Sequence, residues 1–222
     1  MNQLDYNIGH SQQAVVDTNK VLRNTYLLLS MTLMCSAVTA GISMLVNPGP
    51  GVGMMLMLVS FGLLFWVHKA ADSKNGIVAI FAFTACMGAA LGPMLNAYVA
   101  LANGPSVILQ ALGGTAVIFL GLSGYVLTTR KDFSFLQGFL FTGMIVMLVG
   151  VLVSWFTNMP VFELALSGGI VLLMSGLILF DTSRIIHGGE TNYIRATVGL
   201  YLNIYNIFVH LLHLFGAAGG DE

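Results

Sequence analysis

Seven long apolar runs follow one another along this chain, each close to the ~20 residues that cross a bilayer core. They predict helices over residues 22–46, 52–68, 76–101, 106–128, 133–156, 162–186 and 193–215. Segments that cannot continue a helix separate them. Asn47-Pro48-Gly49-Pro50-Gly51, Asn103-Gly104-Pro105 and Asn158-Met159-Pro160 place proline, which lacks the N–H, beside glycine or asparagine. His187-Gly188-Gly189-Glu190 divides the last two runs. Residues 1–20 are rich in Gln, Asn, Asp and Ser and carry no helical apolar stripe. The domain organisation expected is therefore a flexible N-terminal tail over 1–20, a transmembrane domain over 21–216 and a short C-terminal tail over 217–222.

Composition fits lipid as the solvent. Hydrophobic residues make up 57% of the 222 and charged residues 8%, against roughly 25% charged in a soluble domain. The apolar excess runs through the whole chain, so it is neither a cleaved leader nor a single anchor. The fold class expected is an all-α membrane protein, a bundle of seven transmembrane helices. A net charge of -1 gives no basic footprint for nucleic acid.

The eight basic residues orient the bundle. Lys20, Arg23, Lys69, Lys74, Arg130, Lys131, Arg184 and Arg195 all flank the tail or the second-to-third, fourth-to-fifth and sixth-to-seventh connections. The other three connections carry no Lys or Arg. By the positive-inside rule the basic face is cytoplasmic, which puts the N-terminus in the cytoplasm and the C-terminus outside, in the periplasm for a bacterial inner-membrane protein.

Several features could carry chemistry. Asn203, Asn206, His210 and His213 fall at i, i+3, i+7 and i+10 on the seventh run, and Ala196 and Gly199 continue that stripe. A polar stripe cannot comfortably face lipid, so this helix is expected inside the bundle. Asp181 sits near the cytoplasmic end of the sixth run, with Arg184 one turn later. An acid inside a membrane segment is a candidate functional group, because an unpaired charge there costs about 2.5–3.5 kcal/mol. Two readings stand beside each other: a proton- or cation-sensing carboxylate, and an interfacial Asp181–Arg184 pair. His210 and His213 supply at most half a tetrahedral zinc site, and no metal or cofactor is expected. Pro93 should kink or interrupt the third helix, freeing carbonyls near Ala89 and Ala90.

Gly88-Ala89-Ala90-Leu91-Gly92, Ser36…Ala40 and Gly150…Ser154 are small-residue patterns that let helices approach closely; bundle packing is the expected use. Cys35 and Cys86 are read as compact apolar residues. No nucleophilic triad, HExxH, phosphate-cradling loop or GxSxG is present, so no enzymatic activity is expected.

The segment Phe180-Asp181-Thr182-Ser183-Arg184-Ile185-Ile186-His187-Gly188-Gly189-Glu190-Thr191-Asn192-Tyr193-Ile194-Arg195 resembles the signature of the Bax inhibitor-1 family. So do Leu200-Tyr201-Leu202-Asn203-Ile204-Tyr205-Asn206-Ile207-Phe208, Gly92-Pro93-Met94-Leu95-Asn96 and Tyr125-Val126-Leu127-Thr128-Thr129-Arg130-Lys131-Asp132. The likeness runs from Lys20 onward and is greatest to the bacterial YccA-type branch. The resemblance implies seven helices with the last at the centre. It also implies association with an FtsH-type membrane AAA protease and its partner membrane complex, restraint of that protease, and engagement through the N-terminal tail. Some family members are pH-sensitive calcium leak channels that sense through one aspartate in each of the last two helices. Asp181 matches the first; the second falls at Asn203, which is not acidic. The functions expected are thus a protease modulator or, alternatively, a calcium or cation leak, with Asp181, Asn203, Arg184 and Asn206 as candidate sensing or gating residues. A small-molecule transporter is the third class, although no inverted repeat supports it.

Overall fold

The computed structural model describes residues 3–157 and 159–218, with side chains described from Thr18 onward. Seven α-helices follow in order: α1 (Gln3–Val46), α2 (Pro50–Ala70), α3 (Asn75–Val99), α4 (Gly104–Thr129), α5 (Gln137–Thr157), α6 (Pro160–Ile186) and α7 (Tyr193–Ala218). All seven are long and apolar enough to span a membrane, α1 over Thr18–Val46. The helix of α1 begins well before residue 22, where the apolar run starts. Residues 1–2, Asn158 and the last four residues of the expected C-terminal tail lie outside the described residues.

The prolines that end one apolar run open the next helix. Pro50, Pro105 and Pro160 each sit in the first turn of their helices, where the missing N–H is no loss and the fixed φ is already helical. The fifth helix starts later than residue 133. The Asp132 carboxylate accepts hydrogen bonds from the Ser134 N–H at 2.8 Å and hydroxyl at 2.6 Å, an Asx-type turn that leads into a single 3-10 turn over Ser134–Leu136 before α5.

The seventh helix is the axis of the bundle. It packs against α1, α3, α4 and α6, while α2 lies on α3 and α5 lies on α6 at the periphery. Twelve residues of α7 are buried, against Leu140 alone in α5. The outer faces of α2 and α5 instead expose Met54, Phe61, Phe65, Phe139, Val146 and Trp155, as helices do when lipid is their solvent. Hydroxyls inside the bundle mostly bond to the carbonyl one turn back: Thr25 to Val21, Thr84 to Ile80, Thr115 to Ala111 and Ser175 to Val171. No buried side-chain nitrogen or oxygen among the described residues is left without a partner, as a low-dielectric interior requires.

The small-residue pattern of α3 is used within the chain. A Cβ added at Gly88 would come to 2.2 Å from the Ser36 carbonyl oxygen, and one at Gly92 to 2.2 Å from the Ser43 hydroxyl. Ser36 and Ser43 belong to α1, so α1 and α3 meet backbone to backbone along Gly88 and Gly92. Gly150 of α5 lies against Leu166 of α6. Cys35 and Cys86 are free thiols, the latter 3.2 Å from the Leu56 carbonyl oxygen.

Three connections meet at one end of the bundle. Asn192, between α6 and α7, donates to the Ala71 carbonyl at 3.0 Å and to Asp72 between α2 and α3 at 2.8 Å, and Arg195 closes an ion pair on the same Asp72. The Phe133 N–H, between α4 and α5, donates to the Ser183 hydroxyl of α6 at 2.9 Å. These are the connections that carry or adjoin the basic residues, so the basic residues share one end. Asn192 also caps α7, its side-chain oxygen accepting from the Ile194 and Arg195 N–H groups at 2.9 and 3.2 Å. Asn192→Ala should lower stability by about 1 kcal/mol for the lost cap, more with the Asp72 contact. A melting curve in detergent that coincides with that of the parent would refute this role.

Candidate functional site

The polar stripe of α7 faces α6 over most of its length. At the basic end, the Asn203 amide nitrogen donates to Asp181 Oδ2 at 2.8 Å. Asn203 is buried, and Gly199 one turn earlier leaves the space that Asp181 fills, since a Cβ there would lie 3.2 Å from Oδ2. At the other end, Ser167 of α6 sits between two histidines, its hydroxyl 3.1 Å from His210 Nδ1 and 2.9 Å from His213 Nδ1. Asn206 turns back on its own helix and donates to the Leu202 carbonyl at 2.8 Å. The stripe is thus a seam of acid–amide and hydroxyl–imidazole contacts between the last two helices. Among the described residues, no group of three or more His, Cys, Asp or Glu side chains is placed to hold a metal ion.

Arg184 makes no ion pair with Asp181. Its guanidinium donates to the Gly189 carbonyl at 3.2 Å, lies 3.7 Å from Glu190 and stacks over Phe180 at 5.5 Å. The interfacial Asp181–Arg184 pair, one of the two sequence readings, is replaced by this arrangement. The turn after α6 brings Glu190 back to Arg184, while Asp181 points into the bundle toward α7.

Pro93 neither ends nor breaks α3, which is helical throughout Asn75–Val99. Proline cannot bond the carbonyl four residues back, here Ala89. Ser43 of α1 donates to that carbonyl at 2.7 Å, so the freed oxygen is taken up by a neighbouring helix instead of lining a cavity. The proline ring packs beside Gly53 of α2.

Sequence reasoning missed the partners Ser36, Ser43, Ser167 and Ser183. Tyr201 of α7 shares a 2.8 Å hydrogen bond with Ser36. Thr182 is 3.4 Å from Ser123 and 3.5 Å from Tyr26, tying α6 to α4 and α1 next to Asp181. Small hydroxyl residues recur in every helix and usually bond locally, so nothing in their spacing marks the few that reach across.

Beside this site, Ser183 of α6 holds the α4–α5 connection. Hydrogen bonds from the Ser134 hydroxyl, then from its backbone N–H, keep the exposed Asp132 below the usual carboxylate range. A lowered folded pKa contributes stability that is present above the free value of about 3.9 and is lost as pH falls through the folded value. Asp132→Ala should therefore melt below the parent at pH 7, with the gap narrowing below about pH 4. A gap of constant size down to pH 2.5 would count against the Asp132–Ser134 contact.

A seven-helix bundle wound round a polar central helix, with an acid and an amide paired between the last two helices, defines a polytopic membrane protein whose distinctive chemistry is buried in its own interior. The family described as Inhibitor of apoptosis-promoting Bax1 matches residues 18–220, and the chain belongs to this Bax inhibitor-1 family. It is 51% identical over 214 residues to an Escherichia coli K12 protein named Modulator of FtsH protease YccA, covering 96% of this chain and 97% of that one. It is 50% identical over 213 residues to a membrane protein of Vibrio cholerae, covering 96% of each chain. A Pseudomonas aeruginosa protein is 48% identical over the full length of both chains.

Proposed function

We propose that this protein is an integral membrane regulator that binds an FtsH-type membrane AAA protease and its associated membrane complex and restrains degradation of other membrane proteins. The observation that carries the reading is 51% identity, over 96% of the chain, to a protein named as a modulator of that protease. Its setting is the bacterial inner membrane, as in the Escherichia coli relative of equal identity that is named an inner membrane protein. The N-terminus is cytoplasmic by the placement of the basic residues, and the C-terminus is periplasmic. Modulation asks for a binding surface and needs no catalytic group from this chain. A pulling protease needs an end to grip, and residues 1–17 stand before the first membrane span, Thr18–Val46, on the proposed cytoplasmic side.

The test is deletion of residues 1–17 in cells that carry the protease and a short-lived membrane substrate. The truncated protein should itself turn over more slowly and should protect the substrate less, while keeping the melting temperature of the full chain. Turnover and protection equal to those of the full chain would end the tail-engagement reading.

A second reading, a pH-sensitive calcium or cation leak, is favoured by Asp181 alone, a carboxylate held inside the bundle by Asn203. In that reading Asp181 is the sensing group, the Asp181–Asn203 hydrogen bond holds the closed state, and Arg184 and Asn206 flank it. Calcium flux in proteoliposomes between pH 5 and 8, measured beside Asp181→Asn, separates the two. A parent protein silent over that range rules out the leak.

A further inference from the structure

The α1 and α4 helices both pack on α7 and leave a groove between them. It has a volume of about 750 Å³, with a floor of Tyr201, Ile204 and Phe208 and walls that include Ala37 and Ala116. Ala37 and Ala116 are exposed, so the groove opens sideways at membrane depth. The same seam continues toward the basic end past Tyr26 and Phe119, whose rings are 6.1 Å apart. There a second cavity of about 210 Å³ lies between Leu22 of α1 and Leu127 of α4, with Arg130 and His187 among its lining.

Arg130 differs from Arg184 and Arg195 at the same end. Arg184 and Arg195 are ion-paired with Glu190 and Asp72. Among the described residues the Arg130 guanidinium has no acid partner, and its backbone is fixed in the left-handed conformation that caps α4. The nearest acid in sequence, Asp132, is occupied by Ser134 and Ser183, and Lys131 is drawn to the Tyr125 hydroxyl at 3.1 Å. A cation without a counter-ion at a membrane interface, above an apolar groove open to the acyl region, complements an amphiphile with an anionic head. The lengths agree. Leu120, at the near end of the groove, is ten residues from Arg130, or about 15 Å of helix, and one leaflet contributes roughly half of the ~30 Å hydrocarbon core. A phosphate at Arg130 therefore delivers its chain ends to the groove.

We infer that the α1/α4 seam holds one anionic phospholipid, its phosphate at Arg130 and His187 and its acyl chains running past Tyr26 and Phe119 onto Tyr201, Ile204 and Phe208 of the central helix. Basic pockets between transmembrane helices are suited to such headgroups. The lipid would buttress α7 from the side on which α1 and α4 fail to close. This inference is independent of the protease reading and stands or falls separately from it.

The experiment is native mass spectrometry of the full chain in detergent, titrated in parallel with dioleoyl-phosphatidylglycerol and dioleoyl-phosphatidylcholine. The first phosphatidylglycerol should be retained about five-fold better, the weight of one basic side chain at an anionic surface. Arg130→Gln should bring the two lipids to parity, Arg130→Lys should keep the preference, and Lys74→Gln, at the α2–α3 turn, should leave it unchanged. Ala116→Trp, which fills the groove, should reduce retention of both lipids. Melting temperatures of all variants are recorded, and Arg130→Lys carries the comparison if Arg130→Gln melts early. Parity in the parent, a preference that survives Arg130→Gln, or an equal loss on Lys74→Gln would overturn the headgroup site. Unchanged retention in Ala116→Trp would overturn the groove.

Discussion

Gly88→Leu is expected to abolish the folded bundle, and Gly88→Ala to cost about 1–3 kcal/mol, the usual penalty for forcing extra atoms into a packed core. A single added Cβ would come to 2.2 Å from the Ser36 carbonyl oxygen and 2.7 Å from the Ser36 Cα. Both are α1 backbone, so no rotamer change relieves the clash and the two helices must separate. Separation also strains the Ser36–Tyr201 and Ser43–Ala89 hydrogen bonds, which join α1 to α7 and α1 to α3. Gly113 is the control: a Cβ there meets nothing within 4 Å, so Gly113→Ala should be neutral or slightly stabilising. Thermal unfolding in detergent, read by size exclusion, reports all three. A Gly88→Ala protein that melts with the parent would mean that α1 and α3 are not in backbone contact.

Asn203→Leu is expected to be the most damaging change on the polar stripe of α7. It removes the donor 2.8 Å from Asp181 Oδ2 and leaves that oxygen facing an apolar wall. An orphaned buried polar group costs roughly 1–3 kcal/mol, more when it is charged, whereas replacing both partners by apolar groups can be nearly neutral. The double variant Asp181→Leu/Asn203→Leu should therefore recover part of the stability that Asn203→Leu loses. That recovery distinguishes a specific pair from two independent packing positions, for which the losses would add. Additive losses would dissolve the pair and remove the structural basis of the leak reading. Asn203→Asp sets two carboxylates facing each other and belongs in the same proteoliposome flux assay. Flux in this variant beside a silent parent would mark the scaffold as a leak fold whose second acid has been exchanged for an amide.

Much of the architecture is written in one dimension because lipid imposes a simple rule. Every spanning segment must satisfy its own backbone, so each appears as a continuous apolar run, and the runs can be counted. The seven runs predicted from the sequence match the seven helices observed, and the prolines at positions 50, 105 and 160 mark where helices begin. The central place of α7 was legible for a related reason: polar side chains at helical spacing have to face protein. The family was legible from the residues around Asp181 and Asn203.

Partnership was not legible to the same degree. That Asp181 and Asn203 meet was implied by resemblance alone. Periodicity says that a face is polar and not what it touches, so the pairing of Ser167 with His210 and His213 needed the fold. Arg184 illustrates the same gap. Spacing on the helix offered Asp181 as its neighbour, yet the turn after α6 supplies Glu190 and Gly189 from a direction that helical geometry does not contain. Pro93 frees the Ala89 carbonyl of α3, and the residue that takes it up, Ser43, comes from α1, 46 positions earlier in the chain.

The sequence by itself determined the number of spanning helices, the gathering of basic residues at one end and the interior position of the last helix, because hydropathy, charge and helical period are local properties read against a uniform solvent. The tertiary structure decided that α1 and α3 meet through Gly88 and Gly92, that Asp181 bonds Asn203 while Arg184 turns to Glu190, and that α1 and α4 part to leave a groove over Tyr201. Each of these depends on distances between residues far apart in the chain, set by how four helices share the surface of the seventh.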